Sequence, residues 1–175
     1  MNQPEASKSW YVVYTRSRAE KKVHAGLTIN NIDSFLPLQK QLRQWNDRKR
    51  WVEVPLLTGY CFVHISKKEY LTVLHTPNVL SYVMFDKKPA VIPDREIDYL
   101  KQMLRQSMFE VMVSFDNYHP GEQVEIIQSP LMGLRGELIK SHGKHRFILR
   151  LNSINTVFLA DIPAEFLTAI PVAVH

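Results

Sequence analysis

The side chains best able to do chemistry in this chain of 175 residues are scattered. Seven histidines stand at positions 24, 64, 75, 119, 142, 145 and 175. Only His142 and His145 lie close together, in a polar turn without cysteine or carboxylate partners, whereas a structural zinc site needs four converging donors. Asp94, Glu96 and Asp98 suit the first turn of a helix, where the helix dipole favours negative charge, better than an acid–base pair. The single cysteine, Cys61, sits in "GYCFV", a setting that favours a buried thiol and excludes an internal disulfide. No G-x-S-x-G, P-loop or Rossmann glycine pattern occurs. The expectation is a binding protein without catalytic residue, metal or cofactor.

Positive charge offers a clearer lead. The formal net charge is +5 and the pI about 9.3, a balance that favours an anionic partner. Arg16, Arg18 and Lys22 gather at a junction that could grip a phosphate backbone or form a solvated helix face. Arg48, Lys49 and Arg50 lie between Trp45 and Trp51. That segment offers charge and stacking surface to a nucleic acid, or a cross-strand tryptophan pair that stabilises an exposed hairpin.

The stretch "PLLTGYCFVHI" poses the third question. Side chains of a strand alternate between its faces, so Tyr60 and Phe62 share one side and Cys61 and Val63 the other. One face can be core and the other a docking surface; the residues themselves leave both open.

These residues need elements to position them. "WYVVYT" has the β-branched and aromatic content of a strand. Ala19, Val23 and Leu27 then recur on one helix face, which should end near Asn30-Asn31. Two extended segments follow around a polar turn at Asn46-Asp47, with Trp45 facing Trp51, and "GYCFVHI" adds a strand. Tyr70, Leu71 and Leu74 have helical spacing, Val79 to Phe85 returns to strand, and Asp94 caps a helix with an Ile97, Leu100 and Leu104 stripe. Beyond residue 107 helical periodicity disappears, and five short strand candidates between Gln123 and Ile170 suggest a small barrel. The reading is a flexible tail over 1–8, an α+β domain over 9–107 in which helices flank an antiparallel sheet, a linker over 108–118, and a small all-β barrel over 119–172. "FEVMVSF", within and beside that linker, could itself be a strand. No apolar run reaches the roughly 20 residues of a membrane helix, and the start lacks signal-peptide character, so a cytoplasmic location is expected.

In this order the segments resemble the NusG-like transcription elongation factors. "WYVVYTRSRAEKKV" looks like the opening strand and helix of their N-terminal domain, and "PLLTGYCFV" like its signature strand, with threonine replacing a proline. "PNVLSYVMF" and "PAVIPDREIDYL" resemble the segments that close the domain. "GEQVEIIQSPLMGLRGELI" matches the KOW motif through Gly121, Val124, Pro130, Gly133 and Gly136, where Gly133 and Gly136 are read as positive-φ turn residues. The compact layout is most similar to specialised paralogues such as RfaH and the UpxY-type antiterminators of capsule operons.

The resemblance implies an apolar patch that receives the clamp helices of the RNA polymerase largest subunit, matched by Tyr14, Leu57, Tyr60, Phe62, Phe85 and Ile97. It implies that the Arg16, Arg18 and Lys22 surface faces the non-template DNA strand. Where RfaH-like proteins contact the polymerase gate loop, only Thr72 keeps a polar character, and Tyr70 and Leu71 read as core. The KOW domain would recruit a small-subunit ribosomal protein or Rho. The implied function is that of a monomeric elongation or antitermination factor, the alternative being a KOW-containing RNA-binding protein of the ribosome or translation machinery.

Overall fold

A computed structural model describes residues 7–45, 48–141 and 143–171. The Asn46-Asp47 turn, His142, His175, Val172 and most of the tail read over 1–8 lie outside them. The chain divides into two compact units, Met1–Asp94 and Arg95–His175.

The first unit contains β1 (Ser9–Thr15), α1 (Glu20–Ile29), β2 (Asp33–Phe35), β3 (Leu38–Trp45), β4 (Arg48–Pro55), β5 (Tyr60–Ile65), α2 (Tyr70–Leu74), β6 (Val79–Tyr82), β7 (Met84–Phe85), β8 (Lys88–Pro89) and β9 (Val91–Ile92). Its main sheet has the order β2-β5-β1-β6, with β9 also paired to β1. The central strands are those richest in β-branched and aromatic residues, which suits a pleated surface buried from both sides. Val23 and Leu27 of α1 pack with Val13, Cys61, Val63 and Ile65 in one cluster, the helix stripe read from the sequence meeting one face of the sheet. The expected strand from Val79 to Phe85 is broken at Val83, whose N–H bonds Val12 O at 2.8 Å. Beyond it β7 and β8 form a hairpin whose turn residues, Asp86 and Lys87, both have positive φ, as a two-residue type I′ turn requires.

The second unit contains α3 (Asp94–Arg105), which begins on the last residue of the first, then β10 (Val111–Ser114), β11 (Glu122–Ile126), β12 (Arg135–Ser141), β13 (Lys144–Leu151), β14 (Thr156–Ala160) and β15 (Leu167–Ala169). The buried side of α3 carries Ile97, Leu100 and Met103, with Met103 in place of the expected Leu104. The strands form one antiparallel sheet of order β10-β14-β13-β12-β11-β15. No pairing joins β10 to β15 among the described residues, so hydrogen bonds do not close the sheet into the expected barrel.

Two boundaries differ from the expected ones. Part of the expected linker is β10, because Val111 to Ser114 pair with Ala160 to Val157 and complete the edge of the sheet. Helix α3 groups with that sheet rather than with the preceding strands, and Gln102 Nε2 donates to Pro130 O at 3.1 Å. Among the described residues no helix is long and apolar enough to cross a membrane.

Candidate functional site

The C-terminal end of β1 places aromatic and basic residues side by side. Tyr14 lies directly across from Tyr60, and their rings approach to 5.1 Å at a tilt of 52°. Tyr14 is 38% exposed and Tyr60 half-buried, so the pair presents one continuous aromatic surface at the sheet's end. Burial, with a hydrogen bond and charge interaction involving Tyr14, pushes the Tyr60 phenol up to about 12. The Tyr60 phenol therefore stays neutral at physiological pH.

The turn that delivers Tyr60 to this position is held by a residue that sequence reasoning missed. Glu20, buried in the first turn of α1, accepts the Gly59 N–H at 2.7 Å. Gly59 has φ +82°, a conformation that L side chains rarely adopt, and its carbonyl accepts the Thr15 N–H at 2.8 Å. Helix α1, β1 and the Thr58-Gly59 turn are thus joined at one corner. An acidic residue in a helix's first turn was the available signal, but its partner lies 39 residues away. Burial, aided by the Glu20 charge, also pushes the Cys61 thiol up to about 12, which keeps it protonated.

Not every residue expected on the aromatic patch reaches the surface. Leu57, Phe62 and Ile97 are 1%, 0% and 0% exposed, which makes them core residues. Phe62 shares its face with Tyr60, but β5 lies inside the sheet and the Phe62 ring packs on Phe35 at 5.9 Å. Farther along that face Trp10 stacks on His64 at 4.8 Å. Tyr60 and His64, at the two ends of this face, are only partly buried. Ile97 belongs to the buried side of α3. Phe85 is 54% exposed on the β7–β8 hairpin, four residues beyond Ser81, the cross-strand partner of Tyr14. It is a surface residue, but its hairpin has left the sheet row that unites Tyr14 with Tyr60. On α2, Tyr70 stacks on Tyr82 at 4.0 Å as expected of core, whereas Leu71 is 62% exposed beside exposed Thr72.

Arg16, Arg18 and Lys22 are all exposed, and none forms an ion pair among the described residues. Arg18 has φ 61°, and the Ala19 N–H closes a turn on Arg16 O at 3.0 Å. Both exposed arginines thus sit in the turn that directly follows the Tyr14 end of β1. Arg48, Lys49 and Arg50 are likewise exposed on β4. The tryptophans beside them do not face each other, however. Trp45 pairs with Arg48 and Trp51 with Leu42. Because register sets the face, Trp45 and Trp51 lie on opposite sides of the β3–β4 ribbon, and the expected tryptophan pair does not form.

In the second unit, Gly133 has φ +89° as expected, but Gly136 is a strand residue of β12 opposite Val124. Its lack of a side chain answers a steric demand: a Cβ there would lie 2.4 Å from Ile148 O and 2.5 Å from the Phe147 ring. Gly121 donates to Glu137 Oε2 at 2.9 Å, and Glu137 also receives Arg150 through Nε at 2.8 Å and Nη2 at 3.0 Å. Val124 is buried, and Pro130 accepts from Gln102. All five residues thus have structural duties, and none of these duties identifies a partner.

A family model described as "Transcription termination factor nusG" matches residues 8–101. A solved structure titled "Domain interaction in Thermotoga maritima NusG" aligns over 94% of this chain and 98% of its own, with a TM-score of 0.51 and 20% identity. The MjSpt4:Spt5 complex in conformation A aligns over 92% of this chain and 97% of its own at 18% identity. Its TM-score of 0.30 is too low to speak for a common arrangement.

Proposed function

Since the matched segment spans more than half of the chain, the protein belongs to the NusG family, and we propose that it is an elongation or antitermination factor acting on elongating RNA polymerase. Its first unit binds the clamp helices of the largest subunit through the Tyr14–Tyr60 surface, with Phe85 at the margin. Arg16, Arg18 and Lys22 lie against the non-template DNA strand, and the basic β3–β4 ribbon supplies a further nucleic-acid contact. The second unit acts as a KOW-type docking module for a small-subunit ribosomal protein or Rho. The factor works as a cytoplasmic monomer without catalysis or cofactor, suppressing pausing or termination on selected operons of the capsule type.

The observation that carries this reading is the corner itself: a partly exposed tyrosine pair adjoins two exposed arginines that have no ion-pair partner among the described residues. Apolar area anchors a protein partner, while neighbouring cations favour a polyanion beside it. Purification of the tagged full chain from its own cells tests the proposal. RNA polymerase subunits are expected to accompany it; ribosomal particles without polymerase would assign it to translation.

A further inference from the structure

The β3–β4 ribbon forms a two-stranded sheet of its own, and residues 42–45 and 48–51 are all exposed. Its register sorts their side chains. Arg43 lies directly opposite Arg50, and Trp45 opposite Arg48, so these four occupy one face. Leu42 opposite Trp51, and Gln44 opposite Lys49, occupy the other. Like charges in direct cross-strand opposition destabilise an antiparallel pair. None of the three arginines forms an ion pair among the described residues. Between residues 38 and 55 the sequence supplies only Asp47 and Glu53 against Lys40, Arg43, Arg48, Lys49 and Arg50. Glu53 pairs with Lys40 and lies on the opposite face. A local rule broken without compensation among the described residues is characteristic of a functional surface.

We propose that the Arg43, Trp45, Arg48 and Arg50 face binds single-stranded nucleic acid. A polyanion relieves the Arg43–Arg50 opposition, and its phosphates exchange their counterions for the three guanidinium groups. Trp45, 61% exposed, offers an aromatic plane that an unpaired base can stack on and that the bases within a duplex cannot reach. Arg43 therefore joins the site, while Lys49 and Trp51 serve the other face. The proposal deepens the assigned function, resting on it for the identity of the strand, and it can be tested without polymerase.

The full chain is titrated with a labelled 12-nucleotide oligothymidylate and a 12-base-pair duplex over a range of salt. The single strand is expected to bind more tightly. Trp45→Leu should weaken single-strand binding about tenfold, in the range of one lost stacking contact, while Trp45→Phe keeps most of the affinity and Trp51→Leu changes it less than about twofold. Arg43→Gln with Arg50→Gln should flatten the log–log salt slope by about 1.4 units, or about 0.7 per lost phosphate contact on a single strand. Single-strand quenching of tryptophan fluorescence should survive in Trp51→Leu and vanish in Trp45→Leu. Equal binding of the duplex, or equal effects of the two leucine substitutions, would overturn the proposal. A chain that co-purifies with polymerase yet gives either result overturns this inference alone, whereas absence of polymerase from the purification overturns the assigned function.

Discussion

Tyr60 and Phe62 share a strand face, yet they are expected to fail in opposite ways when truncated. Alternation along "GYCFV" was legible and assigned the faces correctly. Burial was not, because it depends on Phe35, 27 positions before Phe62, and on β5 being an inner strand. The core pair should respond through the fold: Phe62→Ala is expected to cost about 3 to 5 kcal/mol and Leu57→Ala about 2 to 5 kcal/mol of unfolding free energy. Tyr60→Ala should weaken binding to a clamp-helix fragment at least about tenfold, about 1.4 kcal/mol, with a nearly unchanged thermal melt. Circular dichroism melts alongside titration calorimetry separate the two, and a comparable loss of stability in Tyr60→Ala would return that residue to the core. The tyrosine also has a pH signature. With its folded pKa raised from 10.0 to about 12, its contribution to stability is present below pH 10 and is lost as pH rises towards about 12. Ultraviolet titration of the full chain should show one phenol in that window that is missing from Tyr60→Phe.

At the scale of elements, periodicity served the helices well and the hairpins less well. The Val23 and Leu27 stripe of α1 and the Ile97 and Leu100 stripe of α3 are buried, because a helix's spacing is fixed by its own geometry. Register in a ribbon depends on where the turn falls, so the relation of Trp45 to Trp51 was not legible although both strands were. The β1–α1 junction was legible as charge but not as shape, since the positive φ of Arg18 leaves no mark in composition. Replacing Arg16, Arg18 and Lys22 by glutamine should reduce the salt slope of binding to a bubble-bearing elongation complex by about 2 to 3 units. An unaltered slope would make the junction a solvated face. In the second unit, Glu137 fastens β12 to Arg150 of β13 and to Gly121, just before β11. Burial opposes its charge, but the Arg150 and Gly121 hydrogen bonds prevail and hold its carboxyl below the ordinary 4.5. The clasp's contribution is therefore present above pH 4.5 and is lost as pH falls through the lower folded value. Glu137→Gln should cost about 1.5 to 3 kcal/mol at pH 7, and the difference should shrink steadily in denaturant titrations below pH 4.5. A constant difference across that range would exclude the carboxylate's charge as the cause.

For the whole molecule, the change of texture after residue 107 was legible, because helical spacing gives way to short apolar segments between turn residues. The boundary was not, because "FEVMVSF" reads equally as a tether or a strand until its partner is known. That partner is β14, whose five residues are all buried between β13 and β10. Val111 is itself buried, and Met112 packs on the cluster of Ile139, Ile148, Val157 and Leu159. A fragment beginning at Tyr118 would expose the backbone edge of β14 along the Val157–Ala160 row and remove the apolar cover that β10 supplies. A fragment beginning at Arg95 keeps both, along with the body of α3, which groups with this sheet, and the Gln106 side chain that bonds Phe109 through its N–H at 2.7 Å and its carbonyl at 2.8 Å. The longer fragment should therefore give a β-type far-ultraviolet spectrum and the same backbone chemical shifts over residues 120–170 as the full chain. The shorter one should be less stable by about 2 kcal/mol, the value of burying one aliphatic side chain, and more prone to associate through its bare edge. Equal stability would make β10 an accessory strand and restore residues 108–118 to the role of a tether. Helical shifts over 120–170 in the full chain would contradict the sheet itself.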